Sequence, residues 1–177
     1  MHKSNYYLIL ILLLSTVLLS FTLPSRLEKK VKKEITKTFK VDNFQLIKVN
    51  VSKEVNLKLS KEFTNQLLKI EKNSQLIGYA YIDKAPSKTD EFDYLILLNK
   101  DLIVAKTKIL IYREDYGGEI GSKRWLKQFI GKKSTDKLTY QENVMAISGA
   151  TISAHAMTNA MNQFLQNLDI LHSNKVL

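Results

Sequence analysis

The sequence predicts an α+β protein in which an N-terminal transmembrane helix and a stalk helix precede an antiparallel meander sheet packed with helices. Three observations predict this class. Residues 6–23 are apolar and uncharged, short apolar runs separated by turn residues fill residues 44–112, and helical spacing returns after a loop with four of the six glycines. Consecutive antiparallel strands closed by helices are typical of α+β domains. The expected divisions are an anchor at 1–23, a basic stalk at 24–43, the folded domain at 44–172 and a tail at 173–177.

The composition restricts the chemistry that the chain can perform. It contains no cysteine and three histidines. The lack of cysteine excludes disulfides, thiolate zinc sites, iron–sulfur clusters and cysteine nucleophiles, so redox chemistry needs a bound organic cofactor. We predict neither a catalytic residue nor a metal site. Hydrophobic residues at 45% and charged residues at 25% are ordinary for a globular protein.

The N-terminal apolar segment favours an uncleaved membrane anchor. Its eighteen residues, Tyr6 to Leu23, reach roughly 27 Å as a helix, close to the thickness of a bilayer core of roughly 30 Å. A cleaved signal peptide would show a shorter apolar core and small residues at its cleavage site, which the residues near Ser20 and Thr22 match poorly. A cleaved signal and a buried helix remain the alternatives.

A basic stretch follows the apolar segment. Residues 24–40 hold seven basic and two acidic side chains and therefore carry a net charge of +5, half of the total of +10. Lys3 carries one further positive charge, so residues 41–177 have a net charge of only +4. Taken alone, the positive-inside rule would keep this flank and the domain behind it in the cytoplasm. Apolar residues recur every four positions and predict an amphipathic helix that either lies near anionic headgroups or packs on the domain: Leu27, Val31, Ile35 and Phe39.

A second basic cluster surrounds Trp125 and Phe129. Nucleic-acid binding would need more positive charge and more exposed aromatic rings than this cluster offers, so we predict no nucleic-acid partner. Its members are Lys123, Arg124, Lys127, Lys132 and Lys133.

Alternating apolar residues predict five strands, and helical spacing predicts two helices. Turn residues at 73–74, 85–88 and 99–101 separate the later strands. The predicted strands are Phe44–Val51, Gln66–Glu71, Gln75–Asp83, Phe92–Leu98 and Leu102–Tyr112, and the predicted helices are Ser122–Phe129 and Ile152–Leu168.

Four small residues precede the last predicted helix: Ser148, Gly149, Ala150 and Thr151. Small side chains at a helix start leave backbone N–H groups open, and the positive end of the helix dipole favours a phosphate there. Gly149 would let a ligand approach the main chain, and the Thr151 hydroxyl would lie beside the phosphate. The alternative is that Ser148 simply caps the helix.

The Ser-Gly-Ala-Thr segment followed by Ile152-Ser153 resembles the motif of the FMN-binding domain family, the flavin-carrying subunits of Rnf-type and sodium-translocating NADH:quinone reductase complexes. The resemblance extends over about residues 46–170. Three earlier segments fall in matching order, with 77–80 resembling the family's first core strand, 112–118 its Glu-Thr-x-Gly loop and 125–132 the segment after that loop.

The resemblance implies FMN as the cofactor. In the family, a flavin transferase outside the cytoplasm esterifies the threonine hydroxyl to the FMN phosphate, which would make Thr151 the attachment site. Two departures bear on this: Met145 replaces a family Asp, and Asp115 a family Thr. FMN is therefore expected to be held either covalently or reversibly, and an ancestral fold kept without flavin is the remaining alternative.

The resemblance also implies a location and partners. The domain would lie on the extracytoplasmic side of the inner membrane behind a single N-terminal anchor, against the charge asymmetry, because long exported domains override flanking charge. The expected partners are the membrane, other redox proteins or complex subunits, and a flavin transferase.

The expected function is electron relay through the flavin, as an electron-transfer flavoprotein or redox-complex subunit rather than a stand-alone enzyme. We expect the ring to be held by Tyr112, Glu114, Tyr116 and Gly117, since aromatic faces and open backbone suit a planar ligand. The competing interpretations place Tyr112 in the core and pair Glu114 with Arg113 or a lysine, and Trp125 is expected to be buried.

Two other functions remain open from the sequence. One is a membrane-tethered binding or assembly domain that has kept the fold without flavin. The other is an independent flavin reductase, for which the sequence has no GxGxxG dinucleotide motif.

Overall fold

The computed structural model describes residues 25–60 and 63–177. The predicted anchor at Tyr6–Leu23 lies outside the described residues. Within the two described ranges, none of the helices combines the length and the hydropathy that crossing a bilayer requires.

Five antiparallel strands form one sheet in the order β1-β2-β3-β4-β5, which confirms the predicted α+β meander. Each strand pairs with its neighbour in the chain, because tight turns reverse the chain between the later strands. β1 is shorter than predicted, and β3 runs three residues beyond its predicted end at Asp83. The strands are β1 (Gln45–Lys48), β2 (Leu67–Lys72), β3 (Gln75–Pro86), β4 (Glu91–Leu98) and β5 (Val104–Ile111).

Helix α1, Ser25–Phe39, covers one face of the sheet. Its apolar residues Leu27, Val31 and Ile35 are buried against sheet residues such as Leu95 and Leu97. Burial of side chains of this size contributes about 1.5–3 kcal/mol each. The apolar side of the basic stretch therefore packs on the sheet and is not available for insertion among lipids. Of the two interpretations of the amphipathic pattern, packing on the domain is therefore the correct one.

Helix α5, Thr151–Ser173, covers the opposite face. The predicted helix is confirmed and continues five residues beyond its expected end at Leu168. Its core-facing side chains include Met157, Met161 and Phe164. The Phe164 ring lies 4.9 Å from that of Tyr81 on β3, centroid to centroid, so aromatic contacts fix the helix on the sheet.

Short helical turns complete the fold. Helices α2 (Lys53–Asn56) and α3 (Phe63–Gln66) precede β2, and α3 ends at Gln66, where the sequence pattern predicts strand. After β5, a 3-10 turn at Gly118–Gly121 leads into helix α4 (Lys123–Leu126) and a second 3-10 turn at Lys127–Phe129. The predicted helix Ser122–Phe129 is thus one α-helical turn continued by a 3-10 turn.

Candidate functional site

The start of α5 has no side-chain cap. Ala150 occupies the N-cap position, and no side-chain hydrogen bond caps it. The alternative in which Ser148 caps the helix is therefore wrong. Gly149 has a φ of +81°, a left-handed conformation that favours glycine, and it places Ser148 outside the helix start.

The uncapped end leaves backbone donors facing outward. The N–H groups of Thr151, Ile152 and Ser153 belong to the first helical turn, where no intrahelical acceptor exists. Thr151 and Ile152 are exposed, whereas Ser153 is buried. The positive end of a 23-residue helix therefore presents open donors at the surface, an arrangement suited to an anion.

Tyr112 joins the end of β5 to this helix start. Its hydroxyl lies 2.9 Å from the Ser153 hydroxyl, and either group can donate the hydrogen bond. Gly117 packs directly against the same phenol, since a β-carbon at this position would stand 2.3 Å from the Tyr112 oxygen. Gly117 also has a φ of +88°. The loop after β5 can approach α5 this closely only because residue 117 has no side chain.

A cleft of about 300 Å³ opens beside the helix start. It brings together seven of the eight predicted cofactor residues; Ser148 lies instead in a neighbouring cleft of about 450 Å³ with Trp125 and Met145. A third cleft, of about 630 Å³, adjoins the first along residues 113–116 and shares Gly149 with it. The first cleft is lined by Lys88, Tyr112, Glu114, Tyr116, Gly117, Gly149, Ala150, Thr151, Ile152 and Ser153.

Glu114 holds one wall of the cleft. Its Oε1 accepts hydrogen bonds from the Ser87 hydroxyl at 2.7 Å and from the backbone N–H groups of Thr89 and Asp90 at 2.6 and 3.0 Å. These bonds lower the pKa of Glu114 to about 2, with the Ser87 hydroxyl contributing most. The carboxylate thereby fixes the turn that carries Lys88 to the cleft.

The alternative interpretation in which Glu114 pairs with Arg113 is wrong. The Arg113 guanidinium instead forms an ion pair with Asp93 on β4, which is nearly buried. Arg113 also donates to the carbonyl oxygen of Glu91 at 2.8 Å. It therefore connects the end of β5 to β4, while Glu114 accepts hydrogen bonds from the turn at 87–90 beside the cleft.

Two residues that the sequence did not single out lie at the cleft. Lys88 brings a positive charge to it. Glu119 brings a negative one, since its Oε2 lies 3.3 Å from the point where a β-carbon on Gly149 would stand. No short sequence pattern indicates either residue, because Lys88 and Glu119 are both far from Gly149 in the chain. Glu119 is exposed, so its side chain can rotate away from the helix start.

Apolar side chains are exposed at the opening. Tyr116 is 86% exposed and Ile152 51%, and Met145, which is 70% exposed, lines the neighbouring cleft. Exposed large apolar groups clustered around a cleft are typical of binding surfaces. They give the cleft a partly apolar rim next to the polar helix start.

Trp125 fixes the backbone just before the motif. It is buried, as predicted, and its indole Nε1 donates to the carbonyl oxygen of Met145 at 2.7 Å. The Met145 N–H donates to Oε1 of Gln128 at 2.6 Å. The main chain at 145 is thus held on both sides while its side chain points outward. His155 lies outside the cleft, exposed, with its ring against that of Tyr140.

Residues 88–166 match the model of the FMN-binding domain family. The matched segment is just under half of the chain, and it contains all eight predicted cofactor residues. The match supports an FMN-binding domain and supports FMN as its cofactor. No curated protein matches the chain.

Proposed function

We propose that this protein binds FMN at the start of α5 and relays electrons through it as a component of a redox chain. One observation carries the proposal: an uncapped 23-residue helix begins at Gly149–Thr151 and opens into a cleft walled by Tyr112. The family match over residues 88–166 supports the same cofactor.

The residues present fit the phosphate of FMN. The open N–H groups of the first turn supply donors, and Gly149 lets a phosphate approach the main chain. Lys88 adds a positive charge at the cleft. Glu119 must rotate away from Gly149 when an anion is bound, and its exposure permits this.

The residues present also fit a planar ring. The clefts of about 300 and 630 Å³ share Glu114, Tyr116 and Gly149, and each lies in the size range of cofactor sites. Tyr112 offers an aromatic wall held in place by Ser153, and Tyr116 an exposed ring at the rim.

When bound, FMN supplies the electron-transfer chemistry itself. The protein's part is positional. Tyr112 and Gly117 set the width of the cleft, Glu114 holds the turn that bears Lys88, and Trp125 fixes the segment that leads into the motif. Such a site needs no acid, base or nucleophile from the chain.

We further propose that Thr151 is the point of covalent attachment when a flavin transferase is present. Its side chain is exposed at the mouth of the cleft, which makes the hydroxyl accessible to another protein. Membrane anchoring through residues 6–23, an extracytoplasmic domain and redox subunits as partners belong to the same proposal.

The absorbance spectrum of the detergent-extracted full chain tests the function. Protein from cells that also make a flavin transferase should be yellow, and acid precipitation separates reversibly held flavin, which stays in solution, from covalent flavin, which precipitates with the protein. Thr151→Ala should abolish only the acid-stable fraction, and intact mass should show the loss of one FMN. A colourless protein that takes up no added FMN would overturn the proposal and favour a tethered binding domain.

A further inference from the structure

A basic groove lies along residues 105–108 of β5. It has a volume of about 320 Å³ and is bounded by the second half of α1, by β5 and by the turn that contains α4. Five lysines from these three elements line it, together with a single acidic residue, Glu34: Lys37, Lys106, Lys108, Lys123 and Lys127. The groove shares no lining residue with the cleft beside Gly149.

The positive charge of this groove is not neutralised within the described part of the chain. The three ion pairs found there involve other lysines and one arginine, and none of the five groove lysines takes part. Lys106 and Lys108 are half-buried and stand two positions apart on β5, which places both on the same face of the strand. Like charges gathered in a concave surface repel, and a bound anion would relieve that repulsion.

Protection of a sheet edge does not account for the arrangement. Lysines on an edge strand such as β5 discourage pairing with other chains, which could explain Lys106 and Lys108. It does not explain why Lys37 on α1 and Lys123 on α4 line the same groove. Residues from three separate elements converge here, as in a binding site.

We propose that this groove binds a small anion bearing two or more phosphate charges. Five ammonium groups around about 320 Å³ call for several negative charges in a small volume, and lysine binds phosphate as a point charge. The same chemistry could come from a soluble diphosphate or from the phosphates of an anionic lipid headgroup. The proposal does not depend on flavin binding.

Titration of the full chain in neutral detergent with inorganic diphosphate tests the groove by calorimetry. We expect saturable binding that weakens as salt is raised, because the contacts are ionic. Lys106→Ala/Lys108→Ala should reduce the affinity at least tenfold. The matched control Lys100→Ala/Lys137→Ala removes the same charge from exposed positions outside the groove and should leave the affinity within about twofold.

A second double variant tests whether any loss of binding comes from misfolding. Lys37→Ala/Lys127→Ala changes only exposed side chains and should weaken diphosphate binding by a similar factor without altering the unfolding transition. Flavin content should stay unchanged in every groove variant, which separates this proposal from the proposed function.

Reconstitution distinguishes the sources of phosphate. In nanodiscs of phosphatidylcholine alone, Lys106 and Lys108 should react freely with an acylating reagent, and diphosphate should protect them. Protection in phosphatidylglycerol nanodiscs without added diphosphate would identify a lipid headgroup as the source. The proposal is overturned if neither diphosphate nor anionic lipid protects these lysines, or if only an acidic polypeptide such as polyglutamate binds.

Discussion

The hydroxyl of Tyr112 and the hydroxyl of Ser153 lie 2.9 Å apart, so the end of β5 is hydrogen-bonded to the first turn of α5. This bond fixes the wall of the cleft relative to the open helix start. The two parts of the proposed FMN site, the ring wall and the phosphate donors, are therefore joined by a hydrogen bond between residues 41 apart in the chain.

Tyr112→Phe removes this hydrogen bond. We expect a loss of about 0.5–1.5 kcal/mol in the free energy of unfolding and a fall in FMN affinity of up to about tenfold, measured by denaturant titration and by quenching of flavin fluorescence. Tyr140→Phe is the matched control, because the Tyr140 hydroxyl is buried without a hydrogen-bond partner in the described residues. Equal losses in the two variants would contradict a specific role for Tyr112.

Gly117→Ala should be destabilising and should narrow the cleft. The new β-carbon would stand 2.3 Å from the Tyr112 oxygen, at a φ of +88° that side chains rarely adopt. We expect a loss of about 1 kcal/mol or more in stability, with FMN affinity reduced as Tyr112 shifts. Gly118→Ala is the control, since its nearest neighbour would be 4.0 Å away and its φ is not positive. Unchanged FMN affinity in Gly117→Ala would mean that Tyr112 does not form the ring wall.

Glu119→Gln should strengthen FMN binding. The carboxylate lies against Gly149 in the free protein and must turn away before a phosphate binds there. Even after turning away it opposes the phosphate, since two unit charges about 4 Å apart repel by about 1 kcal/mol in water. We therefore expect affinity to rise by about fivefold at low salt and by less at high salt. Glu54→Gln, an exposed acid on α2, should leave the affinity unchanged. A weaker complex in Glu119→Gln would show that the carboxylate assists binding.

Glu114 should remain ionised to an unusually low pH. Its hydrogen bonds from Ser87, Thr89 and Asp90 lower its pKa from 4.5 to about 2. A depressed carboxyl pKa stabilises the folded state above the unfolded-state pKa, and that contribution is lost as the pH falls from about 4.5 to about 2. Carbon NMR of the Glu114 carboxyl should give a midpoint near 2.

Glu114→Gln should remove this acid dependence. The amide keeps the Oε1 that accepts all four hydrogen bonds but carries no charge, so these bonds weaken and the turn at 87–90 should exchange its backbone protons faster at neutral pH. A Glu114 midpoint near 4.5 in the native protein would show that the hydrogen bonds do not persist in solution.

Much of the fold follows from local patterns. The helical spacing of Met157, Met161 and Phe164 reflects burial on one side of α5, which periodicity reports directly. The apolar run in β3 reflects burial on both faces of the sheet, since Tyr81 packs in the core beneath α5 and Ile82 in the core beneath α1. The four-residue helices α2 and α3 are too short to show a period, so the sequence does not indicate them.

The candidate site likewise has one part that the sequence predicts and another that it does not. The open helix start at Gly149–Thr151 is a local feature of small residues, and the sequence predicts it. Glu119 against Gly149 and Ser87 on Glu114 are contacts between segments 27 or more residues apart, and no local pattern encodes them. Local rules also favoured Ser148 as a cap, but the left-handed backbone of Gly149 separates Ser148 from the helix.

The packing of α1 on the sheet bears on how electrons would reach the flavin. α1 begins at Ser25, with only Pro24 between it and the end of the predicted span at Leu23, and Lys30 Nζ donates to the carbonyl oxygen of Leu110 at 2.5 Å. Under the proposed anchoring through residues 6–23, α1 therefore belongs to the folded body and cannot serve as a flexible tether between the anchor and the flavin.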